Sequence, residues 1–207
     1  MMRAPDAGAP GAQHDVARDH PEHAAILLAA GASTRLGHAK QLVEIDGEPL
    51  LRRVARALLA TAPRELVIVL GHDADRMRDA LMGLPLRTIV ADDHASGLSA
   101  SLRAGVAALD PHCAGALIAL TDQPALDATH LLVLCDAWRA APEHAVASAY
   151  ADVLGVPALL PRAWFAEIAK LHGDVGAREL LRAREGDVVA IAAPALERDL
   201  DTPTDLR

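Results

Sequence analysis

The stretch Leu28-Ala29-Ala30-Gly31-Ala32-Ser33-Thr34-Arg35-Leu36-Gly37-His38-Ala39-Lys40 combines small residues, glycines, hydroxyls and the cations Arg35 and Lys40. That mixture can grip phosphate: glycine lets main-chain N–H groups approach an anion, Ser33 and Thr34 add donors, and Arg35 and Lys40 neutralise charge. Its spacing is neither G-x-x-x-x-G-K-[ST], for which Lys40 falls too late, nor G-x-G-x-x-G. The same residues would also make an ordinary strand-to-helix turn with surface cations. Asp122, in Thr121-Asp122-Gln123-Pro124, follows a buried apolar run, so a strand would hold its carboxylate with little freedom, as a metal ligand is held. Mg²⁺ commonly takes one or two carboxylates together with water and substrate phosphates. Asp199 and Asp201 offer a second carboxylate, because alternation puts both on one side of an extended segment. The competing roles are an N-cap or turn residue for Asp122 and a capping turn for the C-terminal aspartates.

Two further segments are unusual. Gly97-Leu98-Ser99-Ala100-Ser101-Leu102-Arg103-Ala104-Gly105 opens a helix with hydroxyls and small side chains, so a base or ribose could lie against it; Ser99 and Ser101 could equally cap the helix. Gly173-Asp174-Val175-Gly176-Ala177-Arg178 offers a loop, a helix start and a cation, suited to capping or to an anionic acceptor. The histidines show no H-E-x-x-H pairing and receive no role. Cys113 and Cys135 have no C-x-x-C spacing, which removes zinc and disulfide frameworks and leaves them as small buried apolar residues of a reducing compartment. Trp138, Trp164 and Phe165 read as core or interface residues.

The elements that must position these groups follow from periodicity. His23 to Ala30 is apolar without alternation and ends at Gly31, as in a strand buried on both faces of a parallel sheet. Asp46-Gly47 signals a turn, Pro49 suits a first helical position, and Leu50, Leu51, Val54, Ala55, Leu58 and Leu59 form a helical stripe that Pro63 terminates. Strands are expected at Glu65–Leu70, Leu86–Ala91, Ala114–Leu120, Ala145–Tyr150, Val156–Leu160 and Val188–Ala192. Helices are expected up to Met82, from Leu98 to Leu109, from Pro161 and from Gly176. Strands alternating with helices imply a layered α/β domain with a mostly parallel sheet. In such sheets ligands bind beyond the strands' carboxyl ends, which is where Gly31–Lys40, Asp92–Ser101 and Asp122–Pro124 fall.

Composition sets the outer bounds. A length of 207 residues with 52% hydrophobic content supports one sizeable core, and an aromatic content of 2% leaves few stacking platforms for single-stranded nucleic acid. The formal charge of −8 also argues against a nucleic-acid partner. Residues 1–22 are expected to be a disordered tail without the apolar core of a secretory signal, and residues 23–207 to form one domain. The longest apolar run, Ala24–Ala30, is too short to span a bilayer, so the expectation is a soluble cytoplasmic protein without a membrane partner.

Taken in order, Leu28-Ala29-Ala30-Gly31-x-Ser33-x-Arg35-x-Gly37-x-x-Lys40, Gly97-Leu98-Ser99-x-Ser101-Leu102-x-x-Gly105-Val106, Asp122-Gln123-Pro124, Gly173-Asp174-x-Gly176-Ala177-Arg178 and Asp199-Leu200-Asp201-Thr202-Pro203-x-Asp205-Leu206 resemble the MobA-like NTP transferases, most of all their molybdenum cofactor cytidylyltransferase branch. The resemblance runs from about Ala24 to Leu206. It implies a three-layer α/β/α, Rossmann-like nucleotidyltransferase fold that binds NTP with Mg²⁺ or Mn²⁺. By position, Ala29, Ala30, Gly31, Ser33, Arg35 and Lys40 would hold the triphosphate, with Arg35, Lys40 and Asp122 acting in catalysis. Asp122 and Asp201 would contact the metal, and Ser99 and Ser101 the nucleotide. Ala30, where the guanylyl branch tends to carry glycine, goes with the cytidine-using branch and favours CTP. Leu36 stands where Met is often found, and Gly155-Val156-Pro157-Ala158-Leu159-Leu160 departs from the Gly-His-Pro-type pattern near the acceptor. The implied reaction is in-line attack of an acceptor phosphate on the α-phosphorus with release of pyrophosphate, the acceptor being a molybdopterin-type cofactor and a molybdenum hydroxylase its recipient. A monomer or weak homo-oligomer is expected. The alternatives are transfer to another phosphorylated acceptor from CTP or GTP, a relative repurposed for redox chemistry, and a non-catalytic cofactor-binding accessory protein.

Overall fold

Along the first strand, β1 (His23–Ala29), side chains alternate between two cores: Ala25, Leu27 and Ala29 enter one, and Ala24, Ile26 and Leu28 the other. A strand buried on both faces must have a layer on each side, which is why its sequence is apolar without a polar face. The same division recurs in β4 (Leu66–Leu70), where Leu66, Ile68 and Leu70 face one core and Val67 and Val69 the other, and in β6 (Gly115–Leu120). The structure is a computed structural model and describes residues 21–31, 39–71, 73–91 and 97–197. The expected tail, apart from Pro21 and Glu22, lies outside the described residues, as do Ser33, Arg35, Asp199 and Asp201.

With β5 (Arg87–Val90), β7 (Ala145–Tyr150), β8 (Val153–Pro161) and β9 (Val188–Ala192), these strands make a seven-stranded sheet in the order β5-β4-β1-β6-β8-β7-β9. All neighbours are parallel except that β8 runs antiparallel to both β6 and β7. This is a mixed, mostly parallel sheet, as the alternation of strands and helices in the sequence implies. A two-residue hairpin of β2 (Glu44–Ile45) and β3 (Glu48–Pro49) stands apart. On one face of the large sheet pack α1 (Leu50–Leu59), α2 (Ala74–Ala80) and α4 (Ala128–Ala140), carrying Leu58, Met77 and Trp138 into the first core. On the other pack α3 (Leu98–Ala107), α5 (Phe165–Ile168) and α6 (Ala177–Ala183), with Leu102, Ile168 and Leu181 in the second. Each fully buried leucine in these layers is worth about 1.5–3 kcal/mol relative to exposure.

Several boundaries differ from the sequence expectation, each for a local reason. Pro49 pairs with Glu44 in the hairpin and caps α1 instead of opening it, because Asp46 and Gly47 both take left-handed φ and fold the chain back. Pro161 ends β8; a 3₁₀ turn at Arg162–Trp164 precedes the short α5. β8 starts three residues earlier than expected because Ala151 and Asp152, also left-handed, join it directly to β7 as a hairpin. Within that hairpin the register jumps between Ala147↔Ala158 and Ser148↔Gly155, which leaves Val156 and Pro157 out of the ladder. Their carbonyls are satisfied by side chains instead: Tyr150 Oη and Gln123 Nε2 donate to Val156 O, and Ser148 Oγ donates to Pro157 O.

Candidate active site

Strand order reverses at β1: the chain adds β4 and β5 on one side and then returns to place β6 on the other. The chain ends leaving β1 and β6 therefore diverge, and a crevice opens at their carboxyl ends. Asp122 lies two residues past β6, and Lys40 opens the 3₁₀ turn Lys40–Leu42 that follows the loop after β1. Although 82 positions apart, they meet: Lys40 Nζ donates to Asp122 Oδ2 at 2.9 Å, with side chains 17% and 21% exposed. The other Asp122 oxygen, Oδ1, is buried and has no hydrogen-bond partner among the described residues. Asp122 is not a helix cap, for the N-cap of α4 is Asp127, whose carboxylate accepts from His130 N at 2.9 Å.

A cavity of about 460 Å³ surrounds this pair, walled by Ala30, Gly31, Lys40, Gln41, Ser101 and Asp122 among others. Gly97 and Leu98, the start of α3, complete one side, so the positive end of a ten-residue helix faces the cavity. Of the residues expected to contact nucleotide, Ala30, Gly31, Lys40 and Ser101 thus reach the cavity wall. Ala29 is buried beneath it and contributes its carbonyl to a hydrogen bond with Gln41. Ser99 is not part of the cavity wall; its hydroxyl donates to Gly173 O at 2.8 Å. Ser33, Arg35 and Asp201 lie outside the described residues.

The loop around Gly173 is fixed to α3 by more than Ser99. Ser99 N donates to Gly173 O, Leu98 N to Asp174 Oδ1, and the Arg103 guanidinium to Leu171 O. Gly97 sits at φ 106°, and a Cβ there would stand 2.4 Å from Gly173 O, so backbone meets backbone and only glycine fits. Two motifs distant in sequence therefore form one wall. At the start of α6 Glu179 accepts from Gly176 N at 2.9 Å, which caps the helix and leaves Arg178 exposed at a second, 170 Å³ cavity beside Gln123, Tyr150 and Val156. That cavity shares Leu28, Leu98, Leu120 and Asp174 with the first, and Tyr150, Arg178 and Glu179 with a third of about 670 Å³ bounded by the β7–β8 turn and α6. Together they trace a groove along the sheet edge.

Sequence reading gave no role to Gln41 or to the side chain of Gln123, and both are buried here. The Gln41 amide donates to Ala29 O at 3.1 Å and to Gly31 O at 2.8 Å, pinning the strand end beside Lys40. Its adjacency to Lys40 is the sole signal the sequence offers, since burial of a polar amide cannot be read from residue type. Gln123 Nε2 donates to Val156 O and Tyr150 Oη, so its amide orientation is set by an acceptor that cannot donate.

Among the described residues no group of three or more His, Cys, Asp or Glu side chains could hold a metal, and no helix is long and apolar enough to cross a membrane. Asp122 nevertheless fits a divalent cation of the kind that draws most of its ligands from phosphate and water, because one of its oxygens is an orphaned acceptor. Both cysteines are free and buried, and burial raises the pKa of each thiol, that of Cys135 to about 11.

A sequence profile for the MobA-like NTP transferase domain matches residues 25–188. The chain belongs to this family. The Nicotine blue oxidoreductase of Paenarthrobacter nicotinovorans is 32% identical over 197 residues, covering 89% of this chain and 94% of that protein. The Bifunctional protein GlmU of Kineococcus radiotolerans is 37% identical over 121 residues, which is 56% of this chain; the match spans only 25% of the length of that protein. Among solved structures, Rv0371c from Mycobacterium tuberculosis H37Rv superposes with a TM-score of 0.80 at 30% identity, covering 90% of this chain and 95% of that one. A complex of Rv0371c with manganese superposes at 0.74 with 28% identity, covering 89% and 95%. The domain profile carries the family, and none of these near-full-length relatives is named as a molybdenum cofactor cytidylyltransferase.

Proposed function

We propose that this protein is a divalent-metal-dependent nucleotidyltransferase that moves CMP from CTP to the phosphate of a molybdopterin-type cofactor and releases pyrophosphate. The observation that carries the reading is the Lys40–Asp122 pair at the sheet's reversal point, on the wall of a cavity large enough for a nucleotide. In this reading Ala30, Gly31 and the start of α3 receive the triphosphate with Ser33, Arg35 and Lys40, and Ser101 lies beside the nucleotide. Ser99, spent on Gly173 O, acts by positioning α3. Asp122, with Asp201, would hold Mg²⁺ or Mn²⁺, whose chemistry is to neutralise charge on the phosphate oxygens; manganese in the Rv0371c complex supports a divalent ion. The acceptor phosphate already carries negative charge, so no side chain need remove a proton from it. Catalysis then rests on alignment and on cationic stabilisation by Arg35 and Lys40. The acceptor body would occupy the groove past Gln123 and Tyr150 toward Arg178.

The test is pyrophosphate release by the purified protein with Mg²⁺, comparing CTP, GTP, ATP and UTP with and without molybdenum cofactor. Cofactor-dependent release from CTP is expected; release from GTP alone would move the chain to guanylyl transfer. A second reading, redox chemistry, is favoured by the 32% identity to Nicotine blue oxidoreductase across nearly both chains. It requires a change in the redox state of nicotine blue on incubation with the protein, and no pyrophosphate from any NTP.

A further inference from the structure

Lys40 and Asp122 form a part-buried ion pair on the cavity wall, and this bears on the order in which ligands can enter. The Lys40 ammonium is the single hydrogen-bond donor that the Asp122 carboxylate has among the described residues, at 2.9 Å on Oδ2, while Oδ1 is buried and unpartnered. A carboxylate has room for several donors or a cation beside the one ammonium. Both side chains are mostly buried, so their attraction is screened less than at a surface. A divalent cation arriving alone at Asp122 must displace the ammonium or sit beside it, with two like charges at one carboxylate. Ala30, Gly31 and Lys40 share the cavity wall with Asp122, so a triphosphate bound there supplies the anion to which Lys40 can turn.

We propose that Lys40 is a place-holding cation for Asp122: it keeps the carboxylate compensated in the free protein and releases it when a triphosphate binds, so metal and NTP bind synergistically and free metal binds weakly. The inference rests on the nucleotidyltransferase reading of this site. Coupling of this kind is reciprocal, so the metal must raise NTP affinity by the same factor as NTP raises metal affinity.

The experiment measures Mn²⁺ binding to the full-length protein by electron paramagnetic resonance, with Mn²⁺ alone and with CTP or GTP, correcting for the metal–nucleotide complex in solution. In the wild type, nucleotide should tighten Mn²⁺ binding by about 5–150-fold. In Lys40→Met, Mn²⁺ alone should bind about tenfold tighter than in the wild type, and the gain from nucleotide should shrink correspondingly. Lys40→Gln, which keeps a polar side chain, should behave as Lys40→Met does, and agreement between the two excludes misfolding as the cause. Unchanged or weaker binding of Mn²⁺ alone in both variants overturns the place-holding role, as does a wild type whose Mn²⁺ affinity no nucleotide alters. Asp122→Asn separates this failure from that of the underlying reading: if it binds Mn²⁺ as the wild type does, the metal is not at Asp122 and the site assignment itself falls.

Discussion

A carboxylate oxygen buried without a hydrogen bond costs about 1–3 kcal/mol, and Asp122 Oδ1 is in that position. Such a cost is tolerated where a ligand removes it. Replacing Asp122 by Ala should lower turnover by at least about 100-fold, because charge on the transferring phosphate loses its counter-ion. Stability should change by less than about 1 kcal/mol, since loss of the Lys40 ion pair is offset by removal of the buried, unsatisfied Oδ1. Steady-state pyrophosphate release at saturating Mg²⁺ together with thermal melting checks both; a near-normal rate would remove Asp122 from the chemistry. A second residue-scale prediction concerns His23. Thr61 Oγ1 donates to Leu58 O, so His23 Nε2–H must donate to Thr61 Oγ1 at 2.9 Å, deep in the first core. Burial first, then the charge of Arg139, lowers the His23 pKa from 6.5 to about 4. Between those values the unfolded chain binds the proton that the native state refuses. The stabilisation is therefore fully present above pH 6.5 and is lost as pH falls toward about 4, by about 3 kcal/mol in all. Urea midpoints at pH 7 and pH 5 should show a drop in the wild type that is smaller in His23→Gln.

At the scale of elements, α3 and the loop around Gly173 behave as one unit held by Gly97. An alanine there must take φ 106° and push its Cβ against Gly173 O, so Gly97→Ala should destabilise the protein by about 2–4 kcal/mol and weaken nucleotide binding by displacing the start of α3. Melting temperature and CTP titration would test this; a variant with wild-type values of both would mean that the two segments are not rigidly docked. Sequence pattern foresaw α3, which is observed at Leu98–Ala107, and it placed most strands within a residue or two. It left two roles open for the serines, because a hydroxyl that opens a helix looks the same whether it caps, contacts ligand or, as Ser99 does, ties two loops together. The boundaries it missed, at Pro49, Pro161 and the start of β8, are each decided by hydrogen bonds to a partner strand.

At the scale of the whole molecule, a ligand that binds the native state alone must stabilise it by mass action. CTP with Mg²⁺ at about 100 times its Kd should add about 2.7 kcal/mol, raising Tm by about 5–10 °C for a chain of this size. Chelation of the metal should abolish most of the gain, and a larger shift with GTP than with CTP would reverse the assigned base. By itself, the sequence determined the layered α/β class, the position of the apolar strands, and Lys40 and Asp122 as groups worth watching, because those properties are written in local periodicity and residue chemistry. The tertiary structure decided that Lys40 and Asp122 touch, that Ser101 and not Ser99 reaches the cavity, and that buried Gln41 and Gln123 brace its walls. The physical reason is that strand order and register are set by packing between segments far apart in the chain, so no local pattern encodes which two strand ends will lie side by side.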